Sequence, residues 1–211
     1  MKNILLLLLV SLSLVVTAQS DWKLTKDKDG VKVFLREKEK KDFKEYMAVT
    51  SFPGTVSAVY AVYQDVANQK NWMSDIATAT IVKVVDKMEW YTRYEIRVPW
   101  PMDYRDAIYN IKLTQDPTTK ALSIAFKSYP TLLPKQKGFV RIVTSEGVWR
   151  FTPKPNGMVE VMTTGYTNPE GIQPWMVNPF IVDGPHASLL KMKALVKLPK
   201  YQNAVFDFIK N

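Results

Sequence analysis

The stretch Asn168–Pro199, NPEGIQPWMVNPFIVDGPHASLLKMKALVKLP, decides the fold. It opens on a turn, Asn168-Pro169-Glu170-Gly171, and Pro174 suits the first turn of a helix because a missing N–H costs nothing there. Val177, Ile181, Leu189, Met192 and Val196 then fall on one stripe, with Lys193 and Lys197 on another face. A helix from Pro174 to Leu198 spans about 37 Å at 1.5 Å per residue, enough to cross a whole sheet. Gly184-Pro185 is expected to kink it and Pro199 to end it, before a last amphipathic turn from Tyr201 to Ile209.

Everything upstream reads mainly as strands. Asp27-Lys28-Asp29-Gly30 is a turn, and Val31, Val33 and Leu35 alternate in the strand that follows, Val31–Arg36. Phe43–Phe52 is its hairpin partner. Pro53-Gly54 closes that strand, and Thr55 caps a helix bearing Val56, Val59, Tyr60, Tyr63 and Val66. A short turn or helix over Asn68–Met73 leads to six β-rich segments: Ile76–Val85, Glu89–Val98, Arg105–Leu113, Ala121–Tyr129, Phe139–Phe151 and Met158–Tyr166. Prolines and glycines punctuate them, which favours sequential antiparallel pairing. The expected fold class is α+β, a curved antiparallel sheet wrapped around one long C-terminal helix.

The first eighteen residues form a separate segment. Lys2 precedes an apolar run through Val16, and Val16 and Ala18 place small side chains at the third and first positions before a cleavage point. This is the layout of a secretory signal peptide, and the run is shorter than the ~20 residues of a spanning helix. We therefore expect a leader at 1–18, a single domain at 19–211 and a periplasmic or secreted location. The chain has no cysteine, which excludes lipoprotein anchoring, disulfides and thiolate metal sites. The net charge is +9, and +8 once Lys2 leaves with the leader. A basic surface favours anionic partners such as a membrane, and export argues against nucleic acid. No Gly-rich phosphate loop, H-E-x-x-H or G-x-S-x-G motif occurs, so no cofactor, metal or catalytic residue is expected.

Four segments resemble the START family, the steroidogenic-acute-regulatory-related lipid-transfer domains. Val98-Pro99-Trp100-Pro101-Met102-Asp103-Tyr104-Arg105-Asp106 is similar to the family's P-W/F-P-x-x-x-R-D signature. Asn168 to Asn178 resembles its D/N-P-x-G-x-(I)-P-x-W-x-x-N approach to the last helix, although Trp175 directly follows Pro174 here. Asp29–Phe34 and Gly147–Pro153 match an early and a late strand, and the four occur in the family's order. In wording the chain stands nearest the phosphatidylcholine-transfer branch. The resemblance implies a helix-grip fold, one lipid in a roofed tunnel and, in most members, no catalysis. Vertebrate members are mostly cytosolic, so a leader-bearing chain departs from them.

An apolar ligand site needs apolar walls and a few orienting polar groups. Alternation puts Arg105, Tyr109 and Ile111 on one face of their strand. Trp90, Tyr94, Ile96, Trp149 and Met162 complete the expected sheet lining, and Met176, Val177, Phe180, Ile181 and Leu189 the helix side. Arg105 and Arg141 are each read either as donors to a polar headgroup or as halves of structural salt bridges. Trp100 and Met102, on a proline-rich loop, are read as a membrane-facing entrance. Two alternatives stay open: an enzyme acting on an apolar substrate in the same cavity, built from Glu95, Asp106, Tyr109 and His186, and a groove for a protein segment.

Overall fold

The computed structural model describes residues 21–38 and 41–211, with the backbone alone at 178–180. The expected leader at 1–18 lies outside the described residues. Ten strands form one sheet: β1 (Lys23–Lys28), β2 (Val31–Arg36), β3 (Glu45–Pro53), β4 (Ile76–Val84), β5 (Glu89–Ile96), β6 (Tyr104–Gln115), β7 (Leu122–Ser128), β8 (Phe139–Arg141), β9 (Ser145–Lys154) and β10 (Met158–Thr167). Their spatial order is β1-β2-β3-β10-β9-β7-β6-β5-β4, and β8 adds a short parallel pairing to β6. Helices α1 (Val56–Gln64) and α2 (Gln69–Trp72) lie between β3 and β4. The chain ends with α3 (Pro174–Leu195) and α4 (Pro199–Gln202). The architecture is the expected α+β one.

Local chemistry explains the main boundaries. Asp29 and Gly30 take φ of 55° and 75°, the two positive values of a type I′ turn, and so close the β1–β2 hairpin. Thr55 Oγ1 accepts the Ala58 N–H at 3.1 Å, capping α1 as its position in the sequence suggested. Helix α1 is apolar nearly all round and is buried on nearly all sides: it packs against β9, and Phe206 and Phe208 of the C-terminal tail meet Tyr60 edge-on.

Two expectations need correction. Strand β1 was hidden because KLTKDK has no apolar alternation. The expected Phe139–Phe151 strand is two strands: β8 follows β6, then Ile142–Thr144 leave the sheet and β9 joins β7 and β10. Trp149 therefore faces the opposite side of the sheet from Arg141. The register through Gly147 is regular on both sides.

The two halves of α3 sit differently. Beyond Pro185 it packs on β2 and β3, with Leu189, Met192 and Val196 almost wholly buried. Before Gly184 none of its described residues is fully buried, and they stand over the open face of β5, β6, β9 and β10. Close packing at one end and separation at the other leave a gap.

Candidate functional site

That gap is a cavity of about 320 Å³, near the lower end of the roughly 300–1,000 Å³ typical of ligand pockets. Tyr94 and Ile96 of β5, Tyr109 and Ile111 of β6, Phe126 of β7 and Trp149 of β9 form its sheet wall, and Met176, Val177 and Ile181 its helix wall. Tyr63 of α1 closes the inner end. The aromatic residues brace one another edge to face: Tyr94 on Tyr109, Tyr109 on Phe126, and Tyr63 and Trp72 on Trp149. Rings locked in this way cannot collapse to fill the void.

Four phenols border the cavity, those of Tyr46, Tyr63, Tyr94 and Tyr109. Burial pushes all four above the ordinary tyrosine range, Tyr109 to about 12 and Tyr63 well above it, so each stays a neutral donor at physiological pH. Tyr109 donates to Ser145 Oγ at 2.9 Å, and that oxygen pairs with Thr167 Oγ1 at 2.7 Å. Thr163, 1% exposed, faces the cavity from β10 with its hydroxyl unpartnered. Among the described lining residues, charge is confined to the rim, where Lys44, Asp75 and Arg97 stand. Burial raises the Asp75 carboxyl, against the opposing charges of Arg97 and Lys191. At the same rim the Ser74 N–H donates to Ser188 Oγ, which donates on to the Gly184 carbonyl, and so the turn before β4 is tied to α3.

The sequence matches no known family model. It is 34% identical over 176 residues to an uncharacterized protein of Pseudomonas aeruginosa, which covers 82% of this chain and 86% of that one. The structure superposes on the STAR-related lipid transfer protein of Xanthomonas axonopodis with a TM-score of 0.78 and 27% identity, over 84% of this chain and 99% of the other. The chain has the fold of the STAR-related lipid transfer domains. Human StAR-related lipid transfer protein 5 shares the fold at 17% identity, with a TM-score of 0.77 over 86% of this chain and 88% of its own.

The two segments that resemble the START signatures meet at Arg105. Its Nε donates to the Pro169 carbonyl at 3.0 Å, its Nη2 to Glu170 at 2.9 Å and its Nη1 to Asp103. Arg105 thus has neither of the expected partners. Each of its three nitrogens donates to a backbone carbonyl, the side chain does not line the cavity, and the residue clamps the start of β6 to the turn that precedes α3. Arg141 takes the salt-bridge alternative. Its Nε and Nη2 meet the two Asp106 oxygens at 2.8 Å each, and it also donates to the carbonyls of Pro130, Leu133 and Pro134. Asp106 lies on the face of the sheet away from the cavity, where it also takes Arg93.

Of the other expected lining residues, Tyr94, Ile96, Tyr109, Ile111, Trp149, Met176, Val177 and Ile181 border the void, and Met102 does so from its loop. Trp90 and Leu189 are core residues instead, 6% and 0% exposed. Met162 points to the opposite face, because Thr163 and not Met162 pairs with the inward Trp149. The Phe180 side chain lies outside the described residues. Trp100 is 91% exposed on its loop, and Trp175 of α3, which the sequence reading did not single out for exposure, is 73% exposed. The enzyme parts do not assemble: Glu95 and Asp106 share the outer face, Tyr109 lines the cavity, and His186 Nε2 donates to the Lys28 carbonyl. Among the described residues no group of three or more His, Cys, Asp or Glu is placed to hold a metal ion.

Proposed function

We propose that this START-like domain binds one lipid or similar apolar molecule in the cavity between the first half of α3 and the sheet, carries or stores it, and does so without catalysis. The observation that carries the reading is a preformed void of about 320 Å³ walled by interlocked aromatic and aliphatic side chains. Burying apolar ligand surface there is worth roughly 25 cal/mol per Å². Besides the phenols, the titratable groups that line the cavity are Lys44, Asp75 and Arg97, all at the rim, which supports binding over chemistry. The similar Xanthomonas protein carries lipid transfer in its name. The volume favours a single chain or a compact ring system over a two-chain phospholipid, and so weighs against the phosphatidylcholine-transfer branch.

The remaining elements of the proposal concern place. Residues 1–18 serve as a cleaved export signal and the mature domain begins at residue 19, outside the cytoplasm. Trp100 and Trp175 are chain neighbours of the cavity-lining Pro99 and Met176, and their exposed indoles suit the interfacial layer of a membrane, which the basic surface would approach electrostatically.

The test is to purify the exported mature protein, weigh it intact under native conditions, and extract it with organic solvent. One apolar molecule per chain and an N-terminus after Ala18 are the expected results. A chain that arrives empty and takes up no apolar molecule on titration would sink the binding proposal.

A further inference from the structure

The walls of the cavity are apolar, yet its inner end is not. Thr163 is 1% exposed and presents to the cavity a hydroxyl with no hydrogen-bond partner. The Tyr46 phenol lies beside it. Nearby, the phenols of Tyr63 and Tyr94 gather around Gln69, which is fully buried. Gln69 Nε2 donates to the Tyr63 carbonyl at 2.7 Å, while its Oε1 has no partner. Leaving buried polar atoms unmet costs stability, so such groups normally find partners within the fold. Among the described residues no cation is available at this end: Arg105 and Arg141 are spent elsewhere, and Lys44 and Arg97 stand at the rim.

We propose that Tyr46, Tyr63, Tyr94 and Thr163 form a polar subsite that receives the hydroxyl of a neutral, otherwise apolar molecule, which enters hydroxyl-first. A hydroxyl suits the set because it both donates and accepts: the phenols can donate to it, and the Thr163 oxygen remains for its proton. A carboxylate or phosphate would enter a dry end that offers donors but no positive charge, at a heavy desolvation cost. An anionic head is therefore held at the rim or excluded. This inference rests on the cavity being a ligand site at all.

The experiment compares three probes of matched chain, 1-decanol, decane and decanoate at neutral pH, by displacement of an environment-sensitive dye from the mature protein. In a wholly apolar cavity decane would bind best, since a hydroxyl loses its water there. The subsite reverses this order, with 1-decanol about tenfold tighter than decane, as one well-made hydrogen bond implies, and decanoate the weakest. Tyr94→Phe and Thr163→Val should each return 1-decanol towards the decane value, weakening 1-decanol more than they change decane. Thr163→Val should also raise the melting temperature of the empty protein, because it removes an unmet buried hydroxyl. Equal binding of 1-decanol and decane, tightest binding of decanoate, or variants that weaken decane as much as 1-decanol would each overturn the subsite and leave the cavity proposal standing. If no probe binds, both fall.

Discussion

Gly147 of β9 lies directly opposite Gly165 of β10. Neither is needed for its backbone angles. What both supply is room: the Phe126 ring occupies the place of a Gly147 side chain, and the Tyr46 ring lies where a Cβ on Gly165 would be, 2.7 Å from that position. The aromatic floor of the cavity depends on this bare pair.

Gly165→Ala should therefore push the Tyr46 ring into the void. Overpacking of this kind costs about 1–3 kcal/mol, towards the low end here because the ring has somewhere to go, while ligand uptake should fall sharply. Gly147→Ala should cost more, since its Cβ would meet the Thr164 carbonyl as well as the ring. Thermal melts with and without a bound dye test both.

Arg105→Lys should loosen the turn before α3, because an ammonium cannot reach three carbonyls held in fork geometry. All ligands should weaken by a similar factor, whatever their head group. A selective loss of polar-headed ligands would instead restore Arg105 as a binding residue.

Asp106 predicts the acid limb of the stability curve. Burial alone would raise its carboxyl, but hydrogen bonds and charge from Arg141 and Arg93 hold it below the ordinary 3.8. A carboxyl depressed by folding contributes stability that is fully present above the unfolded value and lost as pH falls through it towards the folded one. Denaturant melts should therefore show stability dropping from about pH 5 downward, as expected when a carboxylate must be protonated. Asp106→Asn should cost about 3–5 kcal/mol at neutral pH, since it strands buried guanidinium charge, and should flatten that acid limb.

Trp100→Ala and Trp175→Ala should leave the melting temperature nearly unchanged, as both side chains are exposed. Each should reduce sedimentation with anionic phospholipid vesicles, and the pair should reduce it further. Unaltered vesicle binding in the double variant would remove the membrane-facing assignment.

Much of this architecture could be read from residue order. The Thr55 cap, the alternation of Val31 and Val33, and the stripe Leu189–Met192–Val196 act over short spans, so local pattern reveals them. The fates of Arg105 and Arg141 could not be read in that way. Alternation put Arg105 on the cavity side correctly, but its partners Pro169 and Glu170 lie 64 and 65 residues away and offer backbone oxygens, which leave no mark in a sequence. Thr163 was missed for a related reason. Only the pairing of β10 with β9, which turns Trp149 and Thr163 inward together, shows that the threonine and not Met162 is the inner residue. Tyr63 was visible as a helix position but carried no sign that it ends a void.

The uneven seating of α3 has an evolutionary corollary. Leu189→Ala or Met192→Ala should cost about 2–5 kcal/mol, as buried truncations do, so that half of the helix has little freedom to vary. Met176, Val177 and Ile181 carry much less of the folding energy and form the helix side of the cavity. Relatives can therefore exchange these three side chains to suit a different molecule while the scaffold stays intact, and drift in ligand preference should concentrate in those few turns.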